Sequence, residues 1–286
     1  MSQLDPFAPT PPGGGSDIPP DSPLHRSSAP TARRNGGIAG AVVTALAAVL
    51  AYGKYALLII FKIPALTTLV SLAISFGSYA VFWGPWYAFS LVLMILVHEM
   101  GHVVEIRRQG MQATAPVFIP FLGAAIFQRS HPTDAMKQAQ IGIAGPIAGT
   151  IGATAAFLLF QSTHIPVLLL MAWIGFYINL FNLVPIWMLD GAWIMGPATR
   201  GVRLVASLVV LAVAYLFHAA VSPLLIVIGL VGVATAVFGR SKESDPYFAS
   251  VPASARTAIG VAWLVMVLYL GVASAQAYVW LNALAR

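Results

Sequence analysis

Cysteine is absent from this chain of 286 residues, which excludes disulfides and thiolate metal sites together. Charge is nearly as scarce. Only 8% of the residues are Asp, Glu, Lys or Arg, against roughly 25% in a typical soluble domain. So little charge cannot cover a surface that faces water. The space is filled by hydrophobic residues, 59% of the chain, and the composition therefore defines a polytopic membrane protein, with about 20 apolar residues needed per helical span. The net charge of +6 is assigned to basic loops on the cytoplasmic side of a lipid bilayer. No soluble nucleic-acid module accompanies it, and no nucleic-acid partner is expected. Without cysteine, any transition metal must be held by the six histidines or the nine acidic residues.

Residues 1–36 are dominated by Pro, Gly and Ser without an apolar period, the composition of a disordered tail. The tail is not read as a signal peptide, because no apolar core follows directly on a basic start. Apolar stretches then lie near 38–61, 64–83, 87–106, 138–160, 166–188, 203–220, 222–239 and 257–281. Arg107, Arg108, Arg129 and Lys137 fall in one loop, Arg200 and Arg203 in the next but one, and Arg240, Lys242 and Arg256 two further on. The loops between, around 161–165 and 221–222, carry no Lys or Arg. That alternation puts the three basic loops in the cytoplasm. Arg26, Arg33 and Arg34 draw the tail to the same side, so an even number of crossings must precede Arg107. The stretch at 38–61, interrupted by Lys54 and followed by Lys62, is accordingly expected to be interfacial or re-entrant, with full spanning as the competing arrangement. The expected architecture is an all-α membrane protein of about seven transmembrane helices, divided into a tail (1–36), an interfacial or re-entrant helix (37–63), a membrane core (64–195) and additional helices (196–286).

Residues 109–137 break this pattern. Pro116, Pro120 and Gly123 interrupt any helix, and the apolar residues between them are too few to span. A short extended or hairpin segment dipping into the membrane surface is predicted, and non-helical backbone at that depth must be covered by protein or line a wet cavity.

The stretch Leu91–Arg108 reads LVLMILVHEMGHVVEIRR. His98 and His102, four apart on a helix, face the same way and can both reach one metal, with Glu99 beside them to hold a water. Ionisable residues inside a span cost about 2.5–3.5 kcal/mol each on insertion scales and mark function. A catalytic zinc ordinarily takes three protein ligands and leaves one position for water. Depth selects the third. The histidine helix ends at the cytoplasmic Arg107, and the helix at 166–188 also ends inside, which sets Asp190 at a similar level. Pro185 and Gly191 loosen the chain around it. His218 belongs near the opposite face, His164 to an outer loop, His131 and Asp134 to a polar loop and a helix start, and Glu105 to the interface.

Together these residues resemble the site-2 protease family of intramembrane zinc metalloproteases over roughly 64–195. HEMGH matches the family's HExxH, FIPFLGAAI at 118–126 is similar to the segment that follows it in many bacterial members, GIAGPIAG at 142–149 to its Ala-Gly-Pro helix, and NLVPIWMLDG at 182–191 to its Asn-x-x-Pro…Leu-Asp-Gly motif. The resemblance implies one zinc ion held by His98, His102 and Asp190, Glu99 as the catalytic carboxylate, and Asn182 lining the site against the scissile peptide. It implies a transmembrane protein substrate, of the kind of a membrane-bound regulator, in a bacterial cell membrane, with the active site near the cytoplasmic face. Many members read Asp-Gly-Gly-Arg where this chain has Asp190-Gly191-Ala192-Trp193. A metal-binding transporter and a catalytically silent scaffold are the alternatives, but neither requires the base that Glu99 supplies. The VFIPFLGAAIF stretch is read either as a strand that pairs with an unwound substrate or as a plug that shields the metal. Gly145 and Gly149 are read as allowing close helix packing.

Overall fold

A computed structural model describes residues 38–126, 131–186, 188–218, 220–239, 245–284 and 286. The tail at 1–36 with its His25, and the basic residues Arg129, Arg240 and Lys242, lie outside the described residues. The chain divides into two compact units, 1–55 and 56–286. In the first, the described part is the start of α1 (Ile38–Lys62), a single helix that runs on across the division, with Val42, Val43, Leu46 and Val49 exposed.

The second unit is a helical assembly with one small hairpin. It comprises α2 (Pro64–Trp83), α3 (Pro85–Arg108), β1 (Val117–Ile119), β2 (Gly123–Ala125), α4 (Ala135–Thr163), α5 (Pro166–Asn182), α6 (Asp190–Ile194), α7 (Arg200–Leu216), α8 (Leu224–Phe238), α9 (Pro246–Ala249) and α10 (Ala253–Leu284). Local chemistry fixes many of the boundaries. Proline opens α2, α3 and α5, where its missing N–H has no helical partner to lose. Asp134 caps α4 by accepting from Lys137 N, and Thr199 caps α7 by accepting from Val202 N. Helix α5 stops at Asn182, short of the predicted 188, because Pro185 cannot donate to a continuing helix.

Among the described residues, α2, α3, α4 and α10 are long and apolar enough to cross a membrane. Helices α5 and α7 have 17 residues each and α8 has 15. At 1.5 Å per residue they reach about 22–26 Å, less than the roughly 30 Å of hydrocarbon in a bilayer. The count of four is therefore lower than the seven expected. The chain is a multi-pass membrane protein on these helices.

The main core lies where α4, α5 and α10 meet, around Phe160, Leu169, Phe176, Trp263, Val267 and Leu270. Trp263, fully buried, donates its Nε1–H to Leu183 O at 2.8 Å and so satisfies a carbonyl that the end of α5 leaves open.

Strands β1 and β2 pair antiparallel, Val117 with Ala125, Phe118 with Ala124 and Ile119 with Gly123. Helix α2 holds them from one side. Thr68 Oγ1 donates to Pro116 O at 2.7 Å, Phe118 N to Ser71 Oγ at 3.1 Å, and Phe121 N to Tyr79 Oη at 3.0 Å. Phe121, at a left-handed φ of 65°, packs among Tyr79, Phe82 and Trp83. The predicted hairpin is present. Its contacts follow α2 from Thr68 to Trp83, about 22 Å at helical rise.

Candidate metal centre

Helix α3 presents His98 and His102 one turn apart, their rings edge to face with centroids 4.9 Å apart. Asp190 arrives at the first residue of α6, after the chain has turned through 183–189. Its Oδ2 lies 3.1 Å from His98 Nε2 and its Oδ1 3.3 Å from His102 Nε2, while the two Nε2 atoms are 3.2 Å apart. Among the described residues this is the one group of three or more potential ligands whose donor atoms all fall within 4.8 Å of each other.

The far side of each ring is held as well. His102 Nδ1 meets Ile141 O at 2.7 Å. A carbonyl oxygen can only accept, so Nδ1 carries the proton. His98 Nδ1 meets Asn179 Oδ1 at 2.8 Å, and Asn179 Nδ2 donates to Gly175 O at 2.6 Å. That second bond identifies the amide oxygen, so His98 too is protonated at Nδ1 and donates it. With both Nδ1–H groups directed outward, the two Nε2 atoms face each other and the Asp190 carboxylate. Asp190 Oδ2 is buried and accepts no hydrogen bond. Two imidazole nitrogens and a carboxylate this close together can share one cation, which would take the place of any proton between them. The two-imidazole, one-carboxylate set suits zinc, and the outward hydrogen bonds are those that orient metal-bound histidines.

Backbone proximity shapes the pocket. A Cβ on Gly145 would overlap the His102 ring, and one on Gly191 would run into the Leu183 carbonyl. Close α3–α4 contact itself falls at Gly101, over the backbone of Ala144. The predicted packing glycines thus lie against site side chains: Gly145 against His102 and Gly149 against Asn179.

A cavity of about 250 Å³ adjoins the group, lined among others by Glu99, Asn182, Ala124 and Ala125. Glu99 stands half-buried beside the two histidines. Asn182 bonds its own helix, Nδ2 to Ile178 O at 3.2 Å. A second cavity of about 560 Å³ runs from His98 and Glu99 past Ile95, Leu91 and Tyr87 to Trp83. Ala124 lines both. Its backbone faces outward for a reason internal to the hairpin. Phe118 N–H is spent on Ser71, away from β2, so Phe118 and Ala124 form a pair of the non-hydrogen-bonded kind, whose N–H and C=O groups point away from each other. Ala124 N–H and C=O therefore lie on the edge of β2 that no other described strand covers.

The remaining candidates stand elsewhere. His218 contacts Tyr215 O at 3.3 Å in a separate cavity, His164 ends α4 in a left-handed turn, and His131 is exposed. Glu105 is paired with Arg108 at 2.7 Å and 2.9 Å. Asn179, missed in the sequence, is a fully buried polar group inside an apolar helix, the signal that could have found it.

Fold and site together define a membrane protein with a metallopeptidase-like centre. The model of peptidase family M50 matches residues 86–164 and 159–225, a region that takes in every residue of the centre. Over these residues the chain is similar to that family of metalloproteases, in keeping with its motif-level resemblance to the site-2 proteases. Among solved structures, the site-2 protease from Methanocaldococcus jannaschii is 18% identical, covering 61% of this chain and 88% of that one with a TM-score of 0.32. No curated protein matches.

Proposed function

We propose that the protein is a zinc-dependent intramembrane endopeptidase that hydrolyses a peptide bond in or near a transmembrane segment of a membrane-bound regulator. The observation that carries this reading is the convergence of His98 Nε2, His102 Nε2 and Asp190, with both imidazoles oriented from behind, beside the carboxylate of Glu99. His98, His102 and Asp190 would hold the metal. Bound zinc supplies Lewis acidity, lowering the pKa of water towards about 7 and polarising the peptide carbonyl. Glu99 takes the proton of the attacking water and returns it to the leaving amine. Asn182, on the cavity wall, contacts the scissile peptide.

A helical substrate must first lose its internal hydrogen bonds, at several kcal/mol for each group left bare in lipid. Ala124 N–H and C=O replace two of them by pairing with the unwound segment. The seven-span arrangement places α2, α3, α4, α5, α7, α8 and α10 across a bacterial cell membrane, with the basic loops and the centre towards the cytoplasm.

The decisive variant is Glu99→Gln. Zinc content measured on the purified protein stays at wild-type stoichiometry, while release of substrate fragments falls by about 10²–10⁴-fold, the usual contribution of general acid–base catalysis. Normal turnover in that variant would remove Glu99 from the chemistry.

A further inference from the structure

The two histidines of the centre are steadied in different ways. His102 leans on a main-chain carbonyl, that of Ile141, which no side-chain substitution can remove. His98 leans on a side chain from another helix. Asn179 on α5 is fully buried, as is His98 to within 3%. Its amide cannot turn over, since Nδ2 is bonded to Gly175 O at 2.6 Å while Oδ1 receives the His98 proton at 2.8 Å. Helix α4 makes room for it at Gly149, where any Cβ would overlap the amide. Three helices thus specify one side-chain oxygen.

We propose that Asn179 is a positioning residue for the metal centre: it fixes the tautomer and ring orientation of His98, and so sets the affinity of the centre for zinc. The inference rests on the zinc reading above and adds to it a residue outside the ligand and catalytic set. The residue type follows from charge. Asp190 and Glu99 already bring two negative charges, which balance a divalent cation. A carboxylate at 179 would add a third in a site closed to water, where an unpaired charge is strongly disfavoured. A neutral amide accepts the same proton without it. The amide also donates, and this second bond keeps the oxygen aimed at the ring. Gly175, Asn179 and Asn182 recur at helical spacing along α5, so the helix that leads to Asp190 also braces a ligand on α3.

The test is zinc affinity of the detergent-purified full chain, by competition with a chromophoric chelator, with the absorption spectrum of the cobalt-substituted protein as second readout. Asn179→Ala should weaken zinc binding by about 10–100-fold, the range for loss of a partner that orients a ligating histidine, and should shift the cobalt bands. Ser274→Ala, which removes a buried hydroxyl of α10 bonded to its own helix away from the centre, should leave both unchanged. Gly149→Ala disturbs the Asn179 amide from behind without deleting a polar group. It should weaken zinc in the same direction, and it keeps the proposal testable if Asn179→Ala does not fold. Wild-type affinity and unshifted bands in folded Asn179→Ala would overturn the positioning role. A wild-type protein that binds no zinc would instead overturn the underlying reading.

Discussion

At the scale of single residues, the centre depends as much on missing atoms as on present ones. Gly145 leaves the space that the His102 ring fills. Gly145→Ala should displace that ring, lowering stability by about 1–3 kcal/mol as overpacked sites do. Zinc content should fall although every ligand is intact, and metal analysis of the purified variant checks this. Asp190→Ala removes the one anionic ligand, and the variant should purify without stoichiometric zinc. Pro185 and Gly191 were visible in the sequence as loosening residues. What they allow is a turn that delivers Asp190 to α3 from the first residue of a new helix, not from the end of the old one.

At the scale of elements, the histidine helix and the hairpin were legible because their signals are local. Polar residues at i and i+4 stand out in an apolar run, and two prolines with a glycine break a helix wherever they occur. Asn179 stood out as an amide in an apolar helix, but its bond to His98 was not legible, since that depends on which face of α5 meets α3. The outer partner of His102 was equally hidden, because Ile141 contributes a carbonyl that any residue type would supply. The attachment of the hairpin to α2 could not be read either. It is set by three hydrogen bonds to α2, from residues that look like ordinary span polar groups. The hairpin separates two kinds of substitution. Ala124→Pro deletes an N–H that faces away from β1, which an edge strand tolerates. It should purify folded and yet cleave substrate poorly. Unchanged cleavage would assign the hairpin to shielding instead. Further along the chain, Trp263→Phe strands Leu183 O without a donor. A loss of about 1–3 kcal/mol is expected for an unsatisfied buried carbonyl, read as a lower thermal midpoint of the purified protein.

At the scale of the whole molecule, the charge pattern gives a topology that helix lengths alone do not. Among the described residues, four helices meet the length and composition of a span and α5, α7 and α8 fall short in length, yet the alternation of basic and uncharged loops runs through all of them. The complete lack of cysteine makes the question direct, since every introduced thiol is the sole thiol of the chain. Single cysteines replacing Gln109 and Thr199 should react with an impermeant maleimide only from the cytoplasmic side. Cysteines replacing the exposed Thr163 and Ala220 should react only from the other. Labelling of both sets from one side would reduce the number of crossings below seven.

The edge offered by β2 has a wider meaning for what such a protein would cut. Around Ala124 the strand carries only a hydrogen and two methyl groups as side chains, so it can test the main chain of a guest and almost nothing of its spelling. Targets would then be ranked by pliancy: those whose helices soften near the right depth, through glycine, proline or a stray amide, lie flat along the strand, and stiff ones pass by uncut.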